Sequence, residues 1–232
     1  MFYFKQFSVR NAEGAMKVGT DAIMLGAWMP VPDGCKTILD IGCGCGVISF
    51  MLASITNAHV TGIDIDEKSI EEANKNAEEF TWKNRIQFIW DSVQNFSQKT
   101  TQKFEVIVTN PPFFENSLKS PEKSRNLSRH NDSLPFEELI AAVDILLSEN
   151  GRFGIILPPE QAEKVEELAL QKSLYATKKT CLFPTREKKS NRILTIYERN
   201  YAICEKDNTI IRDGSYTNEY YMLVKDFLKI TN

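Results

Sequence analysis

The segment Asn110-Pro111-Pro112-Phe113 contains residue types that could hold a reacting amine. Each proline fixes φ and lacks a backbone N–H, and a residue before a proline is kept out of the helical region. The segment is therefore a stiff corner, in which the side-chain oxygen of Asn110 and the carbonyl oxygen of Pro111 have few local donors. Two such acceptors can take both hydrogens of a planar amine, such as the exocyclic amine of adenine, and aim its lone pair at an electrophile. Phe113 can stack on the ring.

Residues 104–108, just before this corner, indicate where it lies in the fold. They form a short apolar run rich in β-branched residues, which is typical of a buried strand. Asn110 would then follow the carboxyl end of a strand, where ligands bind in open α/β sheets. Taken alone, Asn-Pro-Pro is equally compatible with a turn that has no chemical role, since Asn-Pro is a common turn signal.

A second candidate element is the glycine-rich segment Gly42-Cys43-Gly44-Cys45-Gly46, between a predicted strand and a predicted helix. Glycines there let backbone N–H groups approach a ligand closely. The third glycine comes one residue earlier than in the dinucleotide-binding pattern, which argues against NAD, and no Gly-Lys-Ser/Thr follows, which excludes a P-loop. Cys43 and Cys45 have no partners at metal-ligand spacing, so we expect no metal. The alternative for the segment is a tight turn.

Two aspartates near strand ends are candidates for contacts with a cofactor. Asp64, about 20 residues after the glycine-rich segment, has the position of a carboxylate that accepts from a ribose diol, whereas Asp66 is expected to cap the next helix. Asp40 lies near the end of the strand before the glycines, where its carboxylate could brace the loop or face a cofactor ammonium.

The next predicted strand ends at Asp91, which could accept from an adenine amine. Ser92 follows Asp91 directly, and we expect it to contact the cofactor as well. Ile65 and Val93 could cover the faces of that adenine. A turn or helix-cap role is the alternative for Asp91.

Length and composition set the class of protein that must position these residues. The 232 residues are 42% apolar and 25% charged, which is typical of a globular fold. The net charge of −3 excludes a strongly basic nucleic-acid coat but allows a local basic surface. Five cysteines without a Cys-x-x-Cys pair favour free thiols. Because the sequence shows no membrane-length apolar stretch and no signal pattern, we expect a cytoplasmic protein without a membrane partner.

Strands that alternate with helices predict an α/β fold with a doubly wound, mostly parallel sheet. We expect a single domain, with an N-terminal extension (1–36), a core (37–200) and a C-terminal extension (201–232). Thr20 or Asp21 is expected to cap the first helix, and Gly151 to end a helix over 135–148. An antiparallel pair, 174–183 and 192–198, is expected to close the sheet around the loop 184–191, and residues 115–133 are expected to form a long loop.

The order of the glycine-rich segment, the acidic strand ends and Asn-Pro-Pro-Phe resembles that of class I S-adenosylmethionine-dependent methyltransferases that act on amino groups. The resemblance implies a seven-stranded, Rossmann-like sheet with an antiparallel C-terminal strand, and S-adenosylmethionine as the cofactor. Its sulfonium makes the methyl group electrophilic, so that transfer depends on positioning and desolvation more than on acid–base chemistry.

Segments outside these motifs resemble the bacterial tRNA1(Val) (adenine-37-N6)-methyltransferase family. They are Phe4-Lys-Gln-Phe7, Ala15-Met-Lys-Val-Gly-Thr-Asp21, Leu25-Gly-Ala-Trp28, Arg129-His130 and the stretch from Ile211 to Tyr220. The resemblance implies a tRNA partner and methylation of the adenine just 3′ of the anticodon. It also implies that Gly19, Thr20 and Asp21, with Lys17, line the cofactor pocket.

Two groups of residues are candidates for contact with RNA. One follows the Asn-Pro-Pro-Phe segment and consists of Phe114, Lys119, Lys123, Arg125, Arg129 and His130. The other surrounds the predicted closing hairpin and consists of Arg186, Lys188, Lys189 and Arg192. Basic side chains near the rim of the site suit an RNA backbone, and Phe114 could stack on a splayed base. Solvated surface charges, and core packing for Phe114, are the alternatives.

Other functions remain open from the sequence. The amine could belong to guanine in rRNA, to adenine in DNA, or to a glutamine of a protein, and the fold could also serve as a non-catalytic RNA-binding module.

Overall fold

The structure, a computed structural model, describes residues 1–11, 18–112 and 134–229. Its strands are β1 (Phe2–Tyr3), β2 (Ser8–Val9), β3 (Thr37–Ile41), β4 (His59–Asp64), β5 (Ile86–Trp90), β6 (Phe104–Thr109), β7 (Leu147–Leu157), β8 (Tyr175–Thr185), β9 (Arg192–Glu198), β10 (Glu205–Asp213) and β11 (Ser215–Tyr216). Its helices are α1 (Thr20–Trp28), α2 (Val47–Ile55), α3 (Glu67–Ala77), α4 (Val93–Lys99), α5 (Phe136–Leu146), α6 (Pro159–Gln171) and α7 (Asn218–Val224), with a 3-10 turn at Lys83–Arg85.

The main sheet has the strand order β11-β10-β8-β9-β7-β6-β3-β4-β5. The five strands from β7 to β5 are parallel, β9 runs antiparallel to both β7 and β8, and β10 is parallel to β8. The mostly parallel sheet and the closing antiparallel pair are confirmed. The expected number of seven strands is wrong, because residues 205–216 add β10 and β11. The first half of β10 is exposed and charged, so it lacks the apolar alternation that predicts a strand.

The boundary between α5 and β7 also differs from the prediction. Helix α5 ends at Leu146, and β7 begins at the next residue and runs through Gly151. A Cβ at Gly151 would lie 3.0 Å from the backbone oxygen of Phe104 and closer still to two side chains. This glycine therefore allows the close approach of a neighbouring strand instead of ending a helix.

Helices cover both faces of the sheet, because the central strands are apolar on both sides. One face packs against α1, α2, α3 and α7, together with the β1–β2 hairpin through Phe4 and Phe7. The other face packs against α4, α5 and α6. Among the described residues, no helix has the length and apolar character needed to cross a membrane.

Candidate functional site

The sheet topology places the candidate residues along one edge. Because β5, β4, β3, β6 and β7 are parallel, their carboxyl ends lie side by side, with Ile63, Ile41, Thr109 and Ile155 in register across four of them. The turn between β8 and β9 reaches the same edge, since β9 starts opposite the end of β7. The described residues brought to this edge are Asp40, Gly42, Gly44, Gly46, Asp64, Ile65, Asp91, Ser92, Asn110, Pro111, Pro112, Arg186, Lys188, Lys189 and Arg192.

The glycine-rich segment forms an open loop between β3 and α2. Gly42, Gly44 and Gly46 have φ of 68°, 53° and 90°, a backbone region that other residues rarely adopt. A Cβ added at Gly42 or Gly44 would meet no atom within 4 Å, whereas one at Gly46 would lie 2.7 Å from the ring of Phe50. The first two glycines therefore border open space, and the third allows tight packing at the start of α2.

The carboxylate of Asp64 fixes this loop. Its Oδ2 accepts a hydrogen bond from the backbone N–H of Gly44 at 2.8 Å, and its Oδ1 accepts one from the N–H of Asp66 at 2.9 Å. Burial raises the pKa of Asp64, and these hydrogen bonds oppose the shift. Asp66 caps α3 by accepting from the N–H of Ser69, as predicted. Each oxygen of Asp64 keeps a lone pair for a further donor.

A cavity of about 300 Å³ lies next to Asp64 and is lined by Ile65, Trp90, Asp91 and Ser92. Ile65 and Trp90 are both more than half exposed, and the indole N–H of Trp90 donates to the carbonyl oxygen of Ile65 at 3.0 Å. A cavity lined by two exposed apolar side chains suits a heteroaromatic ring. Trp90 was not among the predicted residues. Val93, expected on the other face of the ring, is buried in the core below α4.

Asp91 lines this cavity in its charged form. Burial alone would raise its pKa, but hydrogen bonds from Lys99 and from the N–H of Ser92 outweigh burial, so the pKa of Asp91 is lowered. Ser92 caps α4 by accepting from the N–H of Asn95 at 3.2 Å.

Asp40 is fully buried near the end of β3. Its Oδ2 accepts from both the N–H and the hydroxyl of Ser49, at 3.0 and 2.7 Å, and so braces the first turn of α2. Its Oδ1 has no hydrogen-bond partner among the described residues. Burial raises the pKa of Asp40 to about 7, although the hydrogen bonds from Ser49 oppose this shift.

Asn110 follows β6 on the same edge. Thr109 anchors the end of the strand, since its hydroxyl donates to the carbonyl oxygen of Ile41 on β3 at 2.8 Å. Pro111 is buried and Pro112 is exposed. Oδ1 of Asn110 is buried and has no hydrogen-bond partner within the described part of the chain. A buried acceptor without a donor costs about 1–3 kcal/mol, so an arrangement that keeps one is explained best by a ligand that supplies the donor.

The start of α1 also reaches this edge. The N-cap is Gly19, one residue earlier than the expected Thr20 or Asp21, and both Gly19 and Thr20 are exposed. Asp21 in the first turn pairs with Arg192 at the start of β9, with 2.7 Å between Oδ2 and Nε. This ion pair places the beginning of α1 over the carboxyl edge.

The basic residues of the β8–β9 hairpin differ in their environment. Arg186 forms an exposed ion pair with Asp213 at the end of β10, and Arg192 forms the pair with Asp21. Lys188 and Lys189 are exposed at the hairpin tip.

The remaining candidates lie outside the described residues. They are Lys17, Phe113, Phe114, Lys119, Lys123, Arg125, Arg129 and His130.

Asn76 on α3 is a second residue that the sequence did not reveal. Its side chain is buried, and its Nδ2 donates to the carbonyl oxygens of Arg10 and of Cys45, at 3.1 and 3.2 Å. Its Oδ1 accepts from the N–H of Arg10 at 2.9 Å. Asn76 therefore connects the N-terminal hairpin to the glycine-rich loop. The described ranges contain no group of three or more His, Cys, Asp or Glu side chains arranged to hold a metal ion.

Comparisons with known proteins agree with this geometry. Residues 33–206 match the model of a methyltransferase domain family. The chain is 41% identical over 230 residues to a protein of Flavobacterium psychrophilum named tRNA1(Val) (adenine(37)-N6)-methyltransferase, with 98% of each chain covered. It is 37% identical to a protein of the same name from Trichodesmium erythraeum, with 97% of this chain and 96% of the relative covered.

Solved structures show the same fold at low sequence identity. A predicted O-methyltransferase from Agrobacterium tumefaciens superposes with a TM-score of 0.69 at 18% identity, covering 89% of this chain and 96% of the other. A putative rRNA methylase from Clostridium thermocellum gives a TM-score of 0.57 at 22% identity, covering 79% and 99%.

Proposed function

Since the chain belongs to the tRNA1(Val) (adenine(37)-N6)-methyltransferase family, we propose that it methylates N6 of adenine 37, just 3′ of the anticodon, in tRNA(Val), with S-adenosylmethionine as the methyl donor. The single observation that carries the proposal is the buried, unpartnered Oδ1 of Asn110 at the carboxyl end of β6. Its position beside the proline corner suits an acceptor for a planar amine.

The residues at the edge fit the cofactor. The open space next to Gly42 and Gly44 allows the cofactor to lie against the loop. The free lone pairs of Asp64 suit the two hydroxyl groups of a ribose. The cavity between Ile65 and Trp90 suits the adenine ring, with Asp91 at its polar side. The unpartnered Oδ1 of Asp40 is available to a positive group of the cofactor. Gly19 and Thr20 approach from the start of α1.

The chain's own contribution to transfer is positioning. Oδ1 of Asn110 and the carbonyl oxygen of Pro111 each accept one hydrogen of the target amine, which turns its lone pair towards the cofactor. S-adenosylmethionine supplies an electrophilic methyl group on a sulfonium. Holding the attacking nitrogen in line with the bond between the methyl group and sulfur can lower the activation barrier by up to about 7–11 kcal/mol. No side chain is required as a base, because the methylated amine is acidic enough to lose its proton to water.

Basic side chains along the carboxyl edge of the sheet bind the tRNA substrate. Lys188 and Lys189 lie in the turn between β8 and β9, and β8 is the third strand from β6, which is a lateral offset of about 14 Å at roughly 4.8 Å per strand. This offset suits contacts with phosphates of the nucleotides around the target. Phe113 and Phe114, and the basic residues from Lys119 to His130, stay predicted contacts. The proposal implies a cytoplasmic reaction, where bacterial tRNA occurs.

Nucleoside analysis of tRNA tests the proposal. The protein and S-adenosylmethionine would be incubated with total tRNA from a strain that lacks the gene, and the digested tRNA analysed by mass spectrometry. We expect new N6-methyladenosine, confined to tRNA(Val) and formed on the order of 10²–10³-fold more slowly by Asn110→Ala. Methylation of guanine N2, of DNA or of a protein glutamine, without methylation of tRNA adenine, would overturn the proposal.

A further inference from the structure

Gln161 presents a second unpartnered oxygen at the same edge. It is the third residue of α6, which follows β7, the strand next to β6. Its Oε1 is buried and has no hydrogen-bond partner among the described residues.

The local sequence explains why this oxygen lacks a partner. In a capping box, the side chain of a glutamine at the third helical position accepts from the backbone N–H of the N-cap residue. Here the N-cap is Pro158 and the first helical residue is Pro159, and neither has an N–H. The two prolines therefore remove the donors that would ordinarily satisfy Gln161.

Three unpartnered acceptors thus lie near the carboxyl ends of three neighbouring strands. Oδ1 of Asp40 belongs to β3, Oδ1 of Asn110 follows β6, and Oε1 of Gln161 follows β7. Thr109, the last residue of β6, pairs with Ile155 on β7, which runs two residues further to Leu157, and a proline pair follows closely after each strand. Buried acceptors are rarely left without donors, and this alignment indicates that bound molecules supply them.

The donor for Gln161 differs from those assigned to the other two oxygens. Asp40 and the glycine loop belong to the β3–β4–β5 side of the edge, where the cofactor is placed. Gln161 follows β7, which lies on the other side of β6 from β3. The strand order therefore places Gln161 beyond Asn110 from the proposed cofactor side, where the substrate would lie. Both hydrogens of the target amine are taken by Asn110 and Pro111, and the ring nitrogens of adenine are acceptors.

We propose that Gln161 is a specificity-determining residue that accepts a hydrogen bond from a neutral donor of the RNA other than the reacting amine. In RNA near a target adenine, such donors are the ribose 2′-hydroxyl and the exocyclic amines of flanking bases. The inference rests on the proposed function, since it assumes an RNA substrate at Asn110.

The first test replaces the amide with an apolar group of similar size. With Gln161→Leu, kcat/KM for tRNA should fall on the order of tenfold, the value of one neutral hydrogen bond. The affinity for S-adenosylmethionine should stay unchanged, and the melting temperature should be equal or higher, because the variant removes an unsatisfied buried acceptor. Gln171→Leu, at the exposed far end of the same helix, is the matched control and should have no effect.

The second test identifies the donor with synthetic anticodon stem-loops. One carries a 2′-deoxyribose at the target or a flanking nucleotide, and another carries a flanking base without its exocyclic amine. The analogue that lacks the donor should lower kcat/KM for the wild-type protein and should cause no further loss in Gln161→Leu. A deoxyribose effect assigns the hydroxyl, and a base effect assigns the amine.

Three results would overturn the inference. The first is a wild-type kcat/KM in Gln161→Leu, and the second is a loss of cofactor affinity in that variant. The third is that every RNA analogue lowers kcat/KM by the same factor in Gln161→Leu as in the wild-type protein. A wild-type protein that methylates no RNA would instead overturn the proposed function, and this inference with it.

Discussion

The backbone N–H of Gly44 donates to Oδ2 of Asp64 at 2.8 Å, so the carboxylate that ends β4 fixes the loop that follows β3. The other oxygen of Asp64 accepts from the N–H of Asp66. Asp64 therefore shapes the glycine loop and still presents free lone pairs to a ligand. These two roles predict that a substitution of Asp64 mainly lowers the affinity for S-adenosylmethionine.

We expect Asp64→Ala to weaken binding of S-adenosylmethionine roughly 10- to 100-fold, because hydrogen bonds to a charged acceptor contribute about 1.5–3 kcal/mol. Isothermal titration calorimetry measures this affinity directly. Asp66→Ala is the matched control, since it removes the cap of α3 and should lower stability by about 1 kcal/mol with little effect on affinity. An unchanged affinity in Asp64→Ala would remove this residue from the cofactor site.

Asn110→Ala should separate chemistry from binding. The variant removes an acceptor that acts on the reacting amine, so kcat should fall on the order of 10²–10³-fold, as for other lost transition-state contacts. Cofactor affinity and stability should be retained, because Oδ1 of Asn110 has no partner among the described residues to lose. Single-turnover methyl transfer gives the rate, and Asn200→Ala, at an exposed position beyond β9, is the control. Wild-type turnover would refute the role of Asn110.

Local patterns predicted the parts of the fold that depend on neighbouring residues. The parallel core strands, the cap at Asp66 and the β8–β9 hairpin all follow from short-range periodicity and capping chemistry. The strand β10 was not predicted, since it pairs with β11 only at its last two residues and the charged residues of its first half are exposed, which erases the alternation.

Contacts between residues distant in sequence could not be predicted in this way. Asp21 and Arg192 are 171 residues apart, and their pair places α1 over the edge. Trp90 was missed because a tryptophan at the end of an apolar run is read as core, whereas here it is 58% exposed and borders the cavity. Asn76 was missed because both of its partners are backbone groups on other segments.

Asp40 should make stability depend on pH. Its pKa is raised by burial from 3.8 to about 7, so the folded protein holds this proton more tightly than the unfolded chain. The ionised Asp40 carboxylate lowers the free energy of unfolding. This destabilisation is absent below about pH 4, grows as the pH rises towards 7, and is complete above pH 7. Asp40→Asn removes this contribution and should be more stable than the wild type at pH 8, by up to about 4 kcal/mol at 1.36 kcal/mol per pKa unit.

Urea unfolding at pH 5, 6.5 and 8 measures the effect of Asp40→Asn. The difference in free energy of unfolding between the variant and the wild type should increase with pH over this range. Asp33→Asn, at an exposed position, is the control and should show a small difference at every pH. A pH-independent difference for Asp40→Asn would contradict the raised pKa.

Asn76→Ala should disturb both the N-terminal hairpin and the glycine loop. The change leaves the N–H and carbonyl of Arg10 and the carbonyl of Cys45 without their partner, at a residue that is only 3% exposed. We expect a loss of about 2–3 kcal/mol in the free energy of unfolding and a severalfold weaker affinity for S-adenosylmethionine. Asn74→Ala, exposed on the same helix, should leave both unchanged. Equal behaviour of the two variants would show that Asn76 does not connect these segments.

The exposed lysines at the hairpin tip should govern the salt dependence of RNA binding. Lys188 and Lys189 are free to contact phosphates, whereas Arg186 pairs with Asp213. Each phosphate contact contributes about 0.7–0.9 to the slope of log K against log salt concentration, so replacing both lysines with alanine should reduce the slope by about 1.5. Fluorescence anisotropy with labelled tRNA measures it.

The matched control for the hairpin variant is a double replacement of Lys36 and Lys172 with alanine. These exposed lysines precede β3 and follow α6, at the amino edge of the sheet, away from Asn110. If phosphates bind along the carboxyl edge, the control keeps the wild-type slope because its charges are too distant to release counterions there. Equal slopes for both double variants would mean that the hairpin is an ordinary solvated surface, and that the RNA follows another path across the protein.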